Sequence, residues 1–216
     1  MPLKKIKKME RFHRYACRAF LRDTRNRIVH GPEAPLYAER IWVNPQECAG
    51  CLVGLGDRYS GRVITDPWPP PGGRLKAIVE MEKVRCCLDH WVKGLSWEET
   101  GIFDLLERRI ENSRWHVFDD CRNREDIEKR YAKLDRVFEQ VRKERKLKIN
   151  SEVDSWAFRE KDGVYFHVGP GGCHFFGSGG CHRFAMSLAL GLTRIPAKIG
   201  CVHISAIPHL RFLRRR

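Results

Sequence analysis

The sequence predicts an α/β chain, of the α+β kind, in which a helical region precedes a small mixed sheet built mainly by the C-terminal third. Three observations predict it. Apolar residues recur at helical spacing between residues 78 and 145. From Asp162 onward the pattern changes to short β-branched and aromatic runs separated by glycines. Near the end a glycine-rich loop delivers the chain into an apolar-faced helix, and a further strand follows.

Taken in order, Lys4 to Arg27 is mostly basic with scattered aromatics, which fits either an amphipathic helix or an arm that orders on a partner. Ile41-Trp-Val43 before Asn44-Pro45 reads as a short strand ending in a turn, and Asp66 to Gly73, rich in proline, marks an internal boundary. Ile78, Met81, Val84, Leu88, Trp91 and Val92 then recur at helical spacing, with Gly94 as the stop. Ser96 and Glu99 make a capping-box pattern that opens a second helix bearing Ile102, Phe103, Leu106 and Ile110. Ile127, Tyr131, Leu134, Phe138 and Val141 mark a third helix over Arg124 to Arg145. Val164 to Val168 and Cys173 to Phe176 read as the strands of a hairpin turned by Gly169-Pro-Gly-Gly172, and Ile195 to Ile199 reads as the last strand. The expected organisation is a basic N-terminal arm (1–40), a strand plus three-helix region (41–160), a phosphate-binding core (161–210) and a basic tail (211–216).

The 216 residues suffice for one sizeable domain with a helical elaboration, and their 42% apolar content is ordinary for a globular chain. No apolar run approaches the roughly 18 residues of a membrane span, and the N-terminus lacks the apolar core of an export signal, so a cytoplasmic protein without a membrane partner is expected. The net charge of +14 sits at the ends: residues 1–40 carry +7 and the last six residues +4. Such ends either attract nucleic acid through counterion release or are solvated tails. Nine cysteines, an odd number with Cys86 and Cys87 adjacent, point to reduced thiols. Cys48-Ala-Gly-Cys51 has metal-ligand spacing but lacks a second pair, and no metal site is assigned.

Gly177-Ser178-Gly179-Gly180 is the feature that carries chemistry. Its glycines permit close approach of a ligand to the main chain, and the helix that follows points unpaired N–H groups and its positive dipole end into the same space. His182 and Arg183 stand in the first turn, where a cation is disfavoured unless a ligand neutralises it. Arg183 offers a bidentate fork for phosphate, and His182 a donor or a proton-transfer group. The phosphate-binding set is therefore Gly177, Ser178, Gly179, Gly180, His182 and Arg183. The helix start beside Arg183 is expected to lower the pKa of the Cys181 thiol.

Gly179-Gly-Cys-His-Arg183, Ala185, Leu190-Gly191 and Ile195-Pro-Ala-Lys-Ile199 resemble the nucleotide-binding segment of the ParB/sulfiredoxin superfamily, over about a fifth of the chain. Trp97-Glu-Glu-Thr-Gly101 and the helix with Arg130-Tyr131 and Leu134-Asp135 resemble the helical part of uncharacterised ParB-like proteins. The likeness implies a sheet of ParB/sulfiredoxin type and ATP or CTP, with Mg²⁺, as the ligand. It implies phosphoryl transfer or nucleotide hydrolysis on an unidentified acceptor, with Cys181 and His182 as catalytic candidates. The nearest acids in sequence, Asp154, Glu160 and Asp162, are the candidate bases. One alternative is a non-catalytic, sequence-tolerant nucleic-acid binder using the basic ends, since too few residues follow His203 for the helix-turn-helix of ParB partition proteins. A second alternative is sulfiredoxin-like thiol repair through Cys181. Ser178 stands where sulfiredoxins have an aromatic residue, and their upstream basic motif has no counterpart in residues 41–160. The oligomeric state is left open.

Overall fold

In the computed structural model, which describes residues 3–215 and side chains from Lys8 onward, the chain divides into two compact units. A sheet unit comprises Met1–Ala77, Lys148–Gly180 and Thr193–Arg216; a helical unit comprises Ile78–Leu147 and Cys181–Leu192. Met1, Pro2 and Arg216, the outermost residues of the two basic ends, lie outside the described residues.

The sheet unit holds seven strands: β1 (Arg40–Val43), β2 (Cys51–Val53), β3 (Val63–Ile64), β4 (Arg74–Lys76), β5 (Val164–Val168), β6 (His174–Phe176) and β7 (Ile195–His203). Their order is β1-β7-β5-β6-β2-β4, with β3 paired to β7. The mixed α/β class is as expected, and β5, β6 and β7 of the C-terminal third supply the centre of the sheet, but the sheet is not small. Four of its strands come from residues 40–76. The proline-rich stretch 66–73 joins β3 to β4 inside this unit, and the change of unit comes at Ala77–Ile78. Every residue of β5 and β7 is buried, as befits central strands covered on both faces. They run parallel, Val164 opposite Ala197 and Phe166 opposite Ile199, until a bulge sets Val168 opposite Val202. The bulge frees the Cys201 N–H, and it donates to His167 Nδ1 at 3.0 Å. The hairpin of β5 and β6 forms as its turn glycines predict.

Residues 3–30 form one helix, α1 (Leu3–His30), so the helical alternative for the N-terminal segment is the one observed. Its inner face buries Ala19, Asp23 and Asn26. Asp23 accepts from the Tyr37 N–H at 2.7 Å and pairs with Arg159 at 2.8 Å. Asn26 Nδ2 donates to the carbonyls of Pro35 (2.7 Å) and Gly61 (2.6 Å). At the other end, Arg214 of α7 (Leu210–Arg214) donates to Glu39 at 2.6 Å and to Glu33 at 3.1 Å, so that part of the basic tail is anchored. No helix among the described residues is long and apolar enough to cross a membrane.

The helical unit contains α2 (Glu82–Trp91), α3 (Ile102–Glu111), α4 (Arg124–Glu144) and α6 (Cys181–Ala189); a short α5 (Asn150–Val153) belongs to the sheet unit. The stripes read from sequence are its core: Val84, Ile102, Leu106, Ile127, Tyr131 and Phe184 are buried. The Ser96–Glu99 box closes in both directions, with Glu99 N–H to Ser96 Oγ at 3.2 Å and Ser96 N–H to Glu99 Oε2 at 2.7 Å. Regular helix nevertheless starts only at Ile102, because Gly101 turns the chain at φ +73°. Asp135 accepts both indole N–H groups of Trp91 (3.0 Å) and Trp97 (2.9 Å), giving the aromatic core its polar partner.

Candidate anion-binding site

The chain leaves the sheet unit at Gly180 and enters the helical unit at Cys181, so the residues singled out by sequence are divided between the two. In the sheet unit, the loop Gly177–Gly180 lies against β5. Tyr165 N–H donates to Gly179 O at 2.9 Å and Gly177 N–H to Tyr165 O at 2.7 Å. A Cβ on Gly177 would stand 2.6 Å from Tyr165 Cδ1 and 2.7 Å from His167 Nε2. A Cβ on Gly180, whose φ is +78°, would stand 3.0 Å from the Val164 Cα. Close packing on β5 therefore already requires glycine here. Ser178 is the exposed tip, at φ 62°.

In the helical unit, Cys181, His182 and Arg183 form the first turn of α6 and are partly buried. His182 Nε2 is joined to the Tyr131 hydroxyl by a 3.2 Å hydrogen bond, and the two rings meet edge to face at 5.6 Å. Burial, reinforced by the positive charges of Lys83 and Arg130 and opposed by Asp119, pulls the His182 pKa down to about 4. The imidazole is thus neutral near pH 7. Lys83 is bonded to Asp119, and its ammonium lies 4.6 Å over the Phe118 ring, which Arg109 also covers at 5.3 Å. Burial alone would raise the Asp119 pKa; the bond and charge of Lys83, with Arg130 and His182 behind it, hold it below the ordinary carboxylate value. Asp119 and Asp120 sit at φ 53° and 63° in a two-residue turn closed by Phe118 and Cys121, whose N–H groups each donate to the other's carbonyl at 3.0 Å. Arg130 Nε is buried with no hydrogen-bond partner among the described residues. The set is cation-rich and partly dry, with Asp119, already engaged, set against Lys83 and Arg130.

Two sequence expectations change. The Cys181 thiol is not activated: burial pushes its pKa up, Asp119 adds to the rise, and the opposing charges of Lys83 and Arg109 are too weak to reverse it. The acids nearest in sequence are structural. Asp154 pairs with Lys8 at 3.0 Å, Asp162 with Arg11 at 2.6 Å, and buried Glu160 accepts from the Asn150 N–H at 3.1 Å, all within the sheet unit. Sequence reasoning gave no sign that Lys83, Asp119 and Arg130 are neighbours of His182. The one local signal was Asp119-Asp120 between an aromatic and a cysteine, which is turn chemistry on a segment without periodicity. Cys48 donates to the Gly50 carbonyl at 3.1 Å, and among the described residues no three His, Cys, Asp or Glu side chains converge on a metal position.

His182 and the fully buried His167, whose pKa burial lowers to about 3, set an acid limit on stability. An unfolded histidine titrates near 6.5, so the unfolded chain binds more protons than the folded one as pH falls from there towards 4. Stability is fully present above about pH 6.5 and is expected to drop below it by up to ~1.4 kcal/mol per pH unit for each histidine. Urea titrations at several pH values between 7.5 and 5 measure this, and His167→Asn, which keeps an acceptor for Cys201 N–H, should shallow the slope.

No protein family, curated protein or solved structure matches this chain.

Proposed function

We propose that the helical unit binds the phosphate groups of a nucleotide, ATP or CTP, at the first turn of α6, with Lys83, Arg130 and His182 as contacts and Arg183 contributing from the same turn. The observation that carries this reading is Arg130 Nε, buried without an acceptor in a cluster whose carboxylate is already held by Lys83. An unsatisfied buried donor costs about 1–3 kcal/mol, and more when charged. A phosphate supplies both the missing acceptor and the missing negative charge, and the positive dipole end of a helix start favours an anion there. Neutral His182 donates to a phosphate oxygen or takes a proton from an attacking group.

The likeness of Gly179–Arg183 to the ParB/sulfiredoxin nucleotide segment supports a nucleoside triphosphate over other phosphate esters. The reaction proposed is phosphoryl transfer or hydrolysis, with Mg²⁺ entering on the phosphates and neutral His182 taking the proton of the attacking group. Thiol repair draws no support from Cys181, whose proton is held by burial. Polyanion binding by the basic ends draws less, since Lys8, Arg11 and Arg214 are engaged in ion pairs.

Calorimetric titration of ATP and of CTP, each with Mg²⁺, tests the reading. Saturable binding of one of them is expected, weakened roughly 10- to 100-fold by Arg130→Ala through loss of a charge-assisted bond. Absence of binding to both rejects it.

A further inference from the structure

Four large apolar side chains of α1 stand in solvent within ten residues: Phe20 is 70% exposed, Leu21 69%, Ile28 78% and Val29 57%. They lie on the side away from Ala19, Asp23 and Asn26, which pack inward. Singly exposed apolar residues are ordinary, but a contiguous row marks an interaction surface. The row is also shaped. Leu21, Thr24, Arg25 and Ile28, at positions i, i+3, i+4 and i+7, surround a groove of about 330 Å³ that Phe20 and Val29 flank. Four residues at that spacing, with a small one among them, form the hole into which one side chain of a facing helix inserts. Arg14, Arg25 and Arg27 border the row, are exposed, and make no ion pair among the described residues.

We propose that the outward face of α1 docks an acidic amphipathic helix of a partner protein, leucine-type side chains entering the 21/24/25/28 hole and carboxylates meeting Arg14, Arg25 and Arg27. The charge decides the occupant. A second copy of α1 would set arginine rows against each other, which costs affinity, whereas glutamates beside the apolar seam convert the same rows into attraction. The inference concerns the sheet unit and does not depend on the nucleotide reading.

The probe is a fluorescein-labelled synthetic helix of about three heptads, leucine at the seam and glutamate on its flanks, titrated with the full chain by anisotropy. Saturable binding is expected, weakening as salt is raised. It should fall at least tenfold with Leu21→Glu/Ile28→Glu, and at least tenfold when the peptide's glutamates are replaced by lysines. Because both substituted residues are exposed, the variant should melt with the wild type; an Arg14→Glu/Arg25→Glu variant that prefers the lysine peptide gives an independent check. Equal binding of both peptides, or binding indifferent to the α1 variants, overturns the proposal. So does a wild-type dimer in sedimentation equilibrium that Leu21→Glu/Ile28→Glu dissolves, which assigns the face to a second copy. Preferential binding of phosphatidylserine vesicles through the same residues assigns it to a lipid surface instead.

Discussion

Gly61→Ala is expected to destabilise the sheet unit by about 3 kcal/mol or more, combining overpacking with a left-handed backbone that alanine resists. Gly61 has φ +66°, and an added Cβ would lie 2.6 Å from the Leu36 carbonyl oxygen, 2.7 Å from its carbon and 2.9 Å from the Tyr37 nitrogen. All three are main-chain atoms, so no side chain can swing away to admit the methyl group. Any shift of Gly61 also disturbs its N–H bond to the Gly200 carbonyl (2.8 Å) and the bond its own carbonyl accepts from Asn26 (2.6 Å), which ties α1 down. Gly31→Ala is the matched control, since that glycine has φ +83° but nothing within 4 Å of its Cβ position. It should cost only the backbone preference, roughly 1 kcal/mol. Urea denaturation of both variants separates the terms, and equal losses would show that the contact with residues 36 and 37 is unimportant.

Tyr131→Ala should cost the helical unit about 3–5 kcal/mol, the range for deleting a buried aromatic ring. Tyr131 is fully buried, 4.7 Å from the Trp97 ring and 5.9 Å from Phe103, and its hydroxyl meets His182. Tyr131→Phe keeps the ring and removes only the hydrogen bond, at about 1 kcal/mol. The two variants therefore divide the residue's role. A small loss from both would mean that the rings of α3 and α4 do not need Tyr131 to hold their packing, while a large loss from Tyr131→Phe would place its weight on His182.

What could be read from sequence follows from length and locality. Helices α2, α3 and α4 are long enough for apolar residues to recur two or three times on one face; α4 has the bounds its stripe predicts, whereas α2 and α3 begin later, at Glu82 and Ile102, than Ile78 and the Ser96 capping box suggest. The β5–β6 hairpin announced itself through Gly169 to Gly172. By contrast β2, β3 and β4 are two or three residues each, too short for alternation to register, so the sheet was expected to be smaller than it is. Strand β7 runs on from Ile199 to His203 because Gly200 and Cys201 enter a bulge completed by His167, a partner 34 residues away. The candidate site divides in the same manner. His182 and Arg183 were legible because a loop and a helix start are local, whereas Lys83, Asp119 and Arg130 join them only through tertiary packing. The fate of Cys181 was misjudged because a helix start argues for a low thiol pKa, while burial, invisible in sequence, argues more strongly for a high one.

The most direct test of the central claim uses inorganic triphosphate without divalent cation, titrated calorimetrically into wild type, Asp119→Asn and Arg130→Ala. If the cluster around α6 is an anion site, removing its carboxylate charge should tighten binding by about tenfold, the scale of one nearby charge in a partly screened site. Asparagine also tolerates the left-handed turn that Asp119 occupies. Arg130→Ala should weaken binding in the same experiment. Triphosphate affinity that is unmoved by both substitutions, or lowered by Asp119→Asn, would contradict the account and leave the cluster as internal packing of the helical unit.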